Sequence, residues 1–112
     1  MLRAMANGFT AEARPRVALV VCGDDGVGAQ IALSLAAKKI SVVLVGANER
    51  RVAETVGEIA FGGGKARHVA GDPSDGAVLQ NAAARAREVF GGLDFVVQAA
   101  ASSDAIFALA ST

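Results

Sequence analysis

A chain of 112 residues with 53% hydrophobic and 20% charged side chains suits a single globular domain. Its 11 basic and 11 acidic side chains cancel, so no one-sign field steers it to nucleic acid or an anionic lipid surface, and no apolar run approaches the ~18 residues of a membrane span. With one His (His68), one Cys (Cys22) and no Tyr or Trp, an internal disulfide and a Cys/His metal cluster are excluded, and a reducing, cytoplasmic location is expected.

Residues 1–15 carry no regular pattern and read as a flexible tail, too short and broken in its apolar stretch for a signal peptide. The pattern then becomes regular, and residues 16–112 form the domain. Val17–Cys22 is a continuous Val-rich run, the signature of a strand covered on both faces. A glycine turn, Gly23–Gly28, leads into a helix over 29–39 with Val27, Ile31 and Leu35 on its apolar stripe and Lys38 and Lys39 suiting its C-terminal end. Ile40–Val45 is a second buried strand. Asn48 can cap a second helix with Val52, Val56 and Ile59 inward, and Gly62–Gly64 stops it. Ala66–Ala70 is a third, weaker strand. Asp72–Asp75 supplies a turn and a cap for a third helix with Val78, Ala82, Ala86 and Val89 on one face, and Gly91–Gly92 ends that helix. Leu93–Val97 is the fourth strand, and the last dozen residues give no clear signal.

Strict strand–helix alternation predicts right-handed crossovers and a parallel sheet. The expected class is Rossmann-like α/β, three layers (α/β/α), with a partial doubly wound sheet in the order 3-2-1-4. In such sheets ligands bind at the carboxyl ends of the strands, where the strand order reverses. Gly26 and Gly28 stand there, at the opening of the first helix, where N–H groups and the helix dipole favour a pyrophosphate. A glycine pair between a strand and a helix serves turn chemistry as often as ligand binding, so the pair alone leaves both readings open.

Residues 17–59, VALVVCGDDGVGAQIALSLAAKKISVVLVGANERRVAETVGEI, closely resemble the start of the short-chain dehydrogenases/reductases. Residues 68–75, HVAGDPSD, are similar to that family's third strand and the Asp after it. Residues 90–101, FGGLDFVVQAAA, are similar to its fourth strand and the Asn-Asn-Ala-Gly segment that follows. The resemblance implies an NAD(P)-binding oxidoreductase fold. It carries cofactor contacts onto Gly23, Asp25, Gly26, Val27, Gly28, Asn48, Asp72, Pro73, Gln98, Ala99 and Ala100.

The departures from the family pattern are specific. Cys22 stands at the first glycine of the motif, with Gly23 one position later. Asp24 and Asp25 would oppose a phosphate. Gly46 and Ala47 occupy the positions whose acidic or basic side chain separates NAD from NADP, so both cofactors stay open. Arg50 and Arg51 are close enough to help a phosphate, although arginines on a first helical turn are more often solvated surface. Gln98 keeps an amide where Ala99 and Ala101 lose contacts, so weak binding is expected.

The resemblance also implies a catalytic Ser, Tyr and Lys beyond the fourth strand. The chain has no Tyr, and its last Lys is Lys65. The expectation is a truncated, SDR-like fragment that is inactive alone. Leu93–Ala99 would then form an apolar parallel edge, a candidate site for self-association or a partner. The alternatives are a natural half-domain that binds a nucleotide or partner without catalysis, and a receiver-like signalling domain with Asp24, Asp25 and Asp72 as its acidic residues. The receiver reading is weakened by the absence of a late Lys.

Overall fold

The computed structural model describes residues 15–22 and 26–99, which hold four strands and three helices in strict alternation. These are β1 (Val17–Val21), α1 (Val27–Ala37), β2 (Ser41–Gly46), α2 (Glu49–Phe61), β3 (Ala66–Ala70), α3 (Gly76–Phe90) and β4 (Phe95–Gln98). Gly23, Asp24, Asp25 and Ala100, together with nearly all of the expected tail and the last dozen residues, lie outside the described residues.

All strand pairs are parallel, and the sheet runs β3-β2-β1-β4. This is the order expected from the sequence. It excludes the receiver-like reading, because a receiver sheet runs 2-1-3-4-5 and places its third strand beside the first. The chain steps outward from β1 to β2 to β3, then crosses back to lay β4 on the other side of β1. The order therefore reverses at β1.

The Val-rich runs form the central strands because they can be buried on both faces. Every residue of β1 is fully covered, as are Val42, Val43, Leu44 and Val45 of β2. Alternation divides them between two cores. Val17, Leu19, Val21, Val43 and Val45 face α3, which presents Leu79, Ala82, Ala83 and Ala86. Val20, Val42 and Leu44 face α1 and α2, which present Ala32, Val52 and Ile59. The helices thus lie on both faces of the sheet, with alanines at the contacts where backbones must approach closely.

Sequence periodicity misplaces part of two helix faces. On α1 the buried residues are Gly28 and Ala32, with Ile31 and Leu35 partly covered, whereas Val27 is 49% exposed. On α3 Leu79 and Ala83 join the buried stripe, and Val89 is 36% exposed. Both valines sit within the first or last turn of their helices. Strand limits shift by one or two residues. The Ile40 N–H still donates to Leu35 of α1, so β2 begins at Ser41. Before β4, the Asp94 carboxylate accepts from Val17 N–H at 2.8 Å and the Asp94 N–H donates to Val17 O at 2.9 Å, which pins the entry of β4 to the start of β1.

The expected caps are in place. The Asn48 side chain accepts from Arg51 N–H on α2, the Asp75 side chain accepts from Ala77 N–H on α3, and Gly91 closes α3 in a left-handed conformation. At its outer edge β4 has no strand partner among the described residues, and Phe95 and Val96 are 37% and 41% exposed. No helix among the described residues is long and apolar enough to cross a membrane.

Candidate functional site

The ladder hydrogen bonds continue past the strand ends and align the residues that follow. Cys22 N–H donates to Val45 O, Gly71 N–H to Gly46 O, and Ala99 N–H to Val21 O. Cys22, Gly46, Gly71 and Ala99 therefore stand together along the carboxyl edge of the sheet, where the strand order reverses.

The two glycines before and within α1 have different surroundings. Gly26, the residue preceding α1, has φ +84°, and a Cβ built on it would meet nothing within 4 Å among the described residues. Its conformation favours glycine. Gly28 is buried, and a Cβ there would lie 2.8 Å from both Cα and Sγ of Cys22. Its missing side chain makes room for Cys22, so Gly28 holds α1 close to the end of β1. Its absent Cβ does not leave ligand space. Cys22 is itself buried, its Sγ 3.8 Å from Val20 O, and burial pushes its thiol up to about 11. At neutral pH it is a packed, protonated side chain and a poor nucleophile.

The start of α1 is also distinct. Its N-cap residue is a glycine, which has no side chain to cap with, and its first turn holds no acid, whereas the N-cap residues Asn48 of α2 and Asp75 of α3 do cap. Beside it opens a cavity of about 930 Å³, within the range of small-molecule and cofactor sites. Cys22, Gly26 and Ala29 form one wall. Gly46, Ala47, Asn48 and Arg51 form the facing wall at the end of β2 and the first turn of α2. The cavity continues along α2 past Thr55 and Glu58 to Phe61, which is 96% exposed.

The sequence-derived candidates distribute unevenly around this cavity. Gly26 and Asn48 line it. Val27, the first residue of α1, and Gly28, packed on the lining residue Cys22, do not line it themselves. Asp72, Pro73, Gln98 and Ala99 share the carboxyl edge of the sheet without lining it. Asp72 is engaged locally: its Oδ1 accepts from the backbone N–H of Ser74 at 2.9 Å and from its hydroxyl at 2.7 Å. Those two bonds hold its carboxyl below the usual range. Gly23, Asp25 and Ala100 lie outside the described residues.

Lining residues absent from the sequence-derived set include Ala29, Glu54, Thr55, Gly57, Glu58 and Phe61. Thr55 is 7% exposed because its hydroxyl donates to Arg51 O one turn back, which satisfies it inside its own helix. The i, i+4 spacing of Arg51 and Thr55 is the signal that places both on one face. His68 is 3.8 Å from the Glu49 carboxylate and does not line the cavity. Among the described residues no group of three His, Cys, Asp or Glu side chains could hold a metal.

Comparison with known proteins agrees with this architecture. The chain is 40% identical over 78 residues to 2,5-dichloro-2,5-cyclohexadiene-1,4-diol dehydrogenase LinX of Sphingobium indicum, a match covering 70% of this chain and 31% of that protein. The crystal structure of a dehydrogenase/reductase from Sinorhizobium meliloti superposes with a TM-score of 0.71 at 34% identity, over 79% of this chain and 35% of that one. An actinorhodin polyketide ketoreductase solved with NADPH superposes with a TM-score of 0.69 at 26% identity, over 77% of this chain and 33% of that one. The chain thus spans about a third of the length of these relatives. The short chain dehydrogenase family profile matches residues 16–110, nearly the whole of the chain. With the 3-2-1-4 sheet and the glycine opening of α1 in place, this chain belongs to the short-chain dehydrogenase family.

Proposed function

We propose that this chain is the dinucleotide-binding part of a short-chain oxidoreductase domain and takes NAD(P) at the carboxyl edge of its sheet. The observation that carries the reading is Gly26. A left-handed glycine, whose built Cβ meets nothing within 4 Å among the described residues, adjoins the start of α1 and a cavity of about 930 Å³. A helix start with no acid in its first turn suits a pyrophosphate, whose negative charge the helix dipole favours. The family relationship and the NADPH held by the actinorhodin ketoreductase support the same ligand class.

In this reading Gly26 and Val27 bring the α1 backbone to the pyrophosphate, and the Gly28–Cys22 contact fixes the angle at which α1 meets it. Gly46, Asn48 and the first turn of α2 face the adenosine ribose. Asp72 and Pro73 flank the adenine side, and Gln98 and Ala99 flank the other side of the switch point. A bound nicotinamide dinucleotide supplies the hydride donor or acceptor. The chain contains no Tyr and no Lys after Lys65, so its own residues bind and orient the cofactor rather than move a substrate proton.

The test is titration of the full chain with NADPH and NADH, read calorimetrically and by cofactor fluorescence. The chain has no Trp or Tyr to overlap with the cofactor signal. Contacts at the adenosine and pyrophosphate end predict saturable binding with Kd in roughly the high micromolar to millimolar range, about −4 to −6 kcal/mol. Heats and emission that stay linear with cofactor concentration to several times that range would refute the proposal.

A further inference from the structure

The end of α2 is the least covered apolar point among the described residues. Phe61, its last residue, is 96% exposed, against 49% for Val27, the next most exposed large apolar side chain. Gly57, Glu58 and Phe61 stand three and four residues apart, so they share one face of the helix. That face lines the far end of the cavity that opens at Gly26. A Cβ built on Gly57 would meet nothing within 4 Å among the described residues, which leaves a flat shelf beside the Phe61 ring. The same end is negative. No basic side chain among the described residues holds Glu58, and the last turn of α2 has none to oppose the C-terminal pole of the helix dipole.

The point where the chain enters the fold lies beside this face. Pro15 lines a second cavity, of about 280 Å³, at the amino edge of the sheet. Ala36 and Ala37 of α1 and Gly62–Gly64 after α2 form the rest of its wall with the start of β2. Gly62 directly follows Phe61, so residues 1–14 leave Pro15 next to the end of α2. Their composition complements it. Met1, Leu2, Met5 and Phe9 are apolar, and Arg3 and Arg14 outnumber the single acid, Glu12. Phe9 precedes Pro15 by six residues, a reach of up to ~20 Å in extended chain. The shelf from Gly57 to Phe61 covers only ~6 Å of helix.

We infer that residues 1–14 dock on the end of α2 of their own chain, with Phe9 against Phe61 and Gly57 and the arginines toward Glu58. Docking there covers the exposed ring and supplies the positive charge that this helix end lacks. It occupies the Phe61 end of the cavity and leaves the Gly26 end clear. The inference is independent of the dinucleotide reading.

The experiment is limited chymotrypsin digestion of the full chain, with mass spectrometry following cleavage after Phe9. Cleavage requires an undocked segment, so its rate tracks the open population. The parent is compared with Phe61→Ser, Glu58→Gln and Glu88→Gln. All three residues are exposed, and Glu88 lies on α3, across the sheet. Far-UV circular dichroism and urea midpoints verify that the variants keep the fold. The expected result is a rate raised about five- to tenfold by Phe61→Ser, the scale of one lost aromatic contact. Glu58→Gln raises it about twofold, as suits an exposed charge contact, and Glu88→Gln leaves it as in the parent. A second measurement, in the intact parent, is the nuclear Overhauser effect between the Phe9 and Phe61 rings, expected to be present and independent of chain concentration. Equal rates in the parent and Phe61→Ser, or no effect between the two rings, would overturn the inference. A ring contact that grows with chain concentration would place a second copy on α2 and overturn it equally.

Discussion

The same substitution, glycine to alanine, should have opposite effects at two helical positions of this chain. At Gly28 the added methyl would lie 2.8 Å from Cys22 Cα, 2.8 Å from Sγ and 2.9 Å from Cβ. One of these neighbours is backbone, so α1 must move away from the end of β1. Overpacking of this kind costs about 1–3 kcal/mol. The opposing gain in helix propensity is at most ~1 kcal/mol in a helix interior, and less at the second residue of α1. The clash wins, and Gly28→Ala should lower stability by about 1–2 kcal/mol, or roughly 4–8 °C in Tm for each kcal/mol in a domain of this size. At Gly57, on the exposed side of α2, a Cβ would meet nothing within 4 Å. There only the propensity gain and the reduced entropy of the unfolded chain remain, and Gly57→Ala should stabilise by about 0.5–1 kcal/mol. Urea unfolding followed by far-UV circular dichroism measures both without an aromatic probe. A Gly28→Ala variant as stable as the parent, alongside a stabilised Gly57→Ala, would show that α1 does not pack on Cys22 as described.

Three further outcomes follow from single residues. Gly26→Ala should cost about 1–2 kcal/mol through its left-handed φ of +84°, and Gly26→Asn distinctly less, because the space is open and only the backbone objects; thermal unfolding ranks the two. Asn48→Ala should cost about 1 kcal/mol by removing the acceptor for Arg51 N–H, measured as a lower urea midpoint at unchanged m-value. Burial raises the Cys22 thiol from an ordinary 9.0 to about 11, so the folded state keeps this thiol protonated where the unfolded state ionises. Stability tied to that group is present below pH 9 and lost as pH climbs toward 11, and alkylation of the native thiol should rise over the same interval. Alkylation at pH 7 as fast as that of the urea-unfolded chain would contradict the burial.

Much of this fold is legible in the sequence because its signals are local. The Val17–Val21 run is apolar without alternation, which only a doubly covered strand requires, and the structure buries it on both faces. Asn48 and Asp75 are short polar residues directly before periodic segments, and both accept from first-turn N–H groups. The site is less legible because it depends on what faces each residue. Gly26 and Gly28 are indistinguishable by spacing: both lack a Cβ, but one has a left-handed φ of +84° and the other faces Cys22. Thr55 looks like surface until its hydroxyl is seen to donate to Arg51 O, and Arg50 and Arg51 separate only once Arg51 is seen to line the cavity and Arg50 is not. Val27 and Val89 follow helical period yet stay partly exposed, since periodicity gives the direction of a face but not what packs against each end of it.

The central claim is that a dinucleotide lies against the start of α1 and the end of β2, and backbone amide shift mapping tests it most directly. Isotope-labelled full chain is titrated with NADPH, and amide resonances are followed residue by residue. The account predicts saturable, co-titrating shifts concentrated at residues 26–30, 46–51 and 71–73, with the C-terminal half of α3 and the amino ends of the strands unmoved. Shifts confined to other surfaces, such as the outer edge of β4, or no saturable shift at millimolar NADPH, would contradict it.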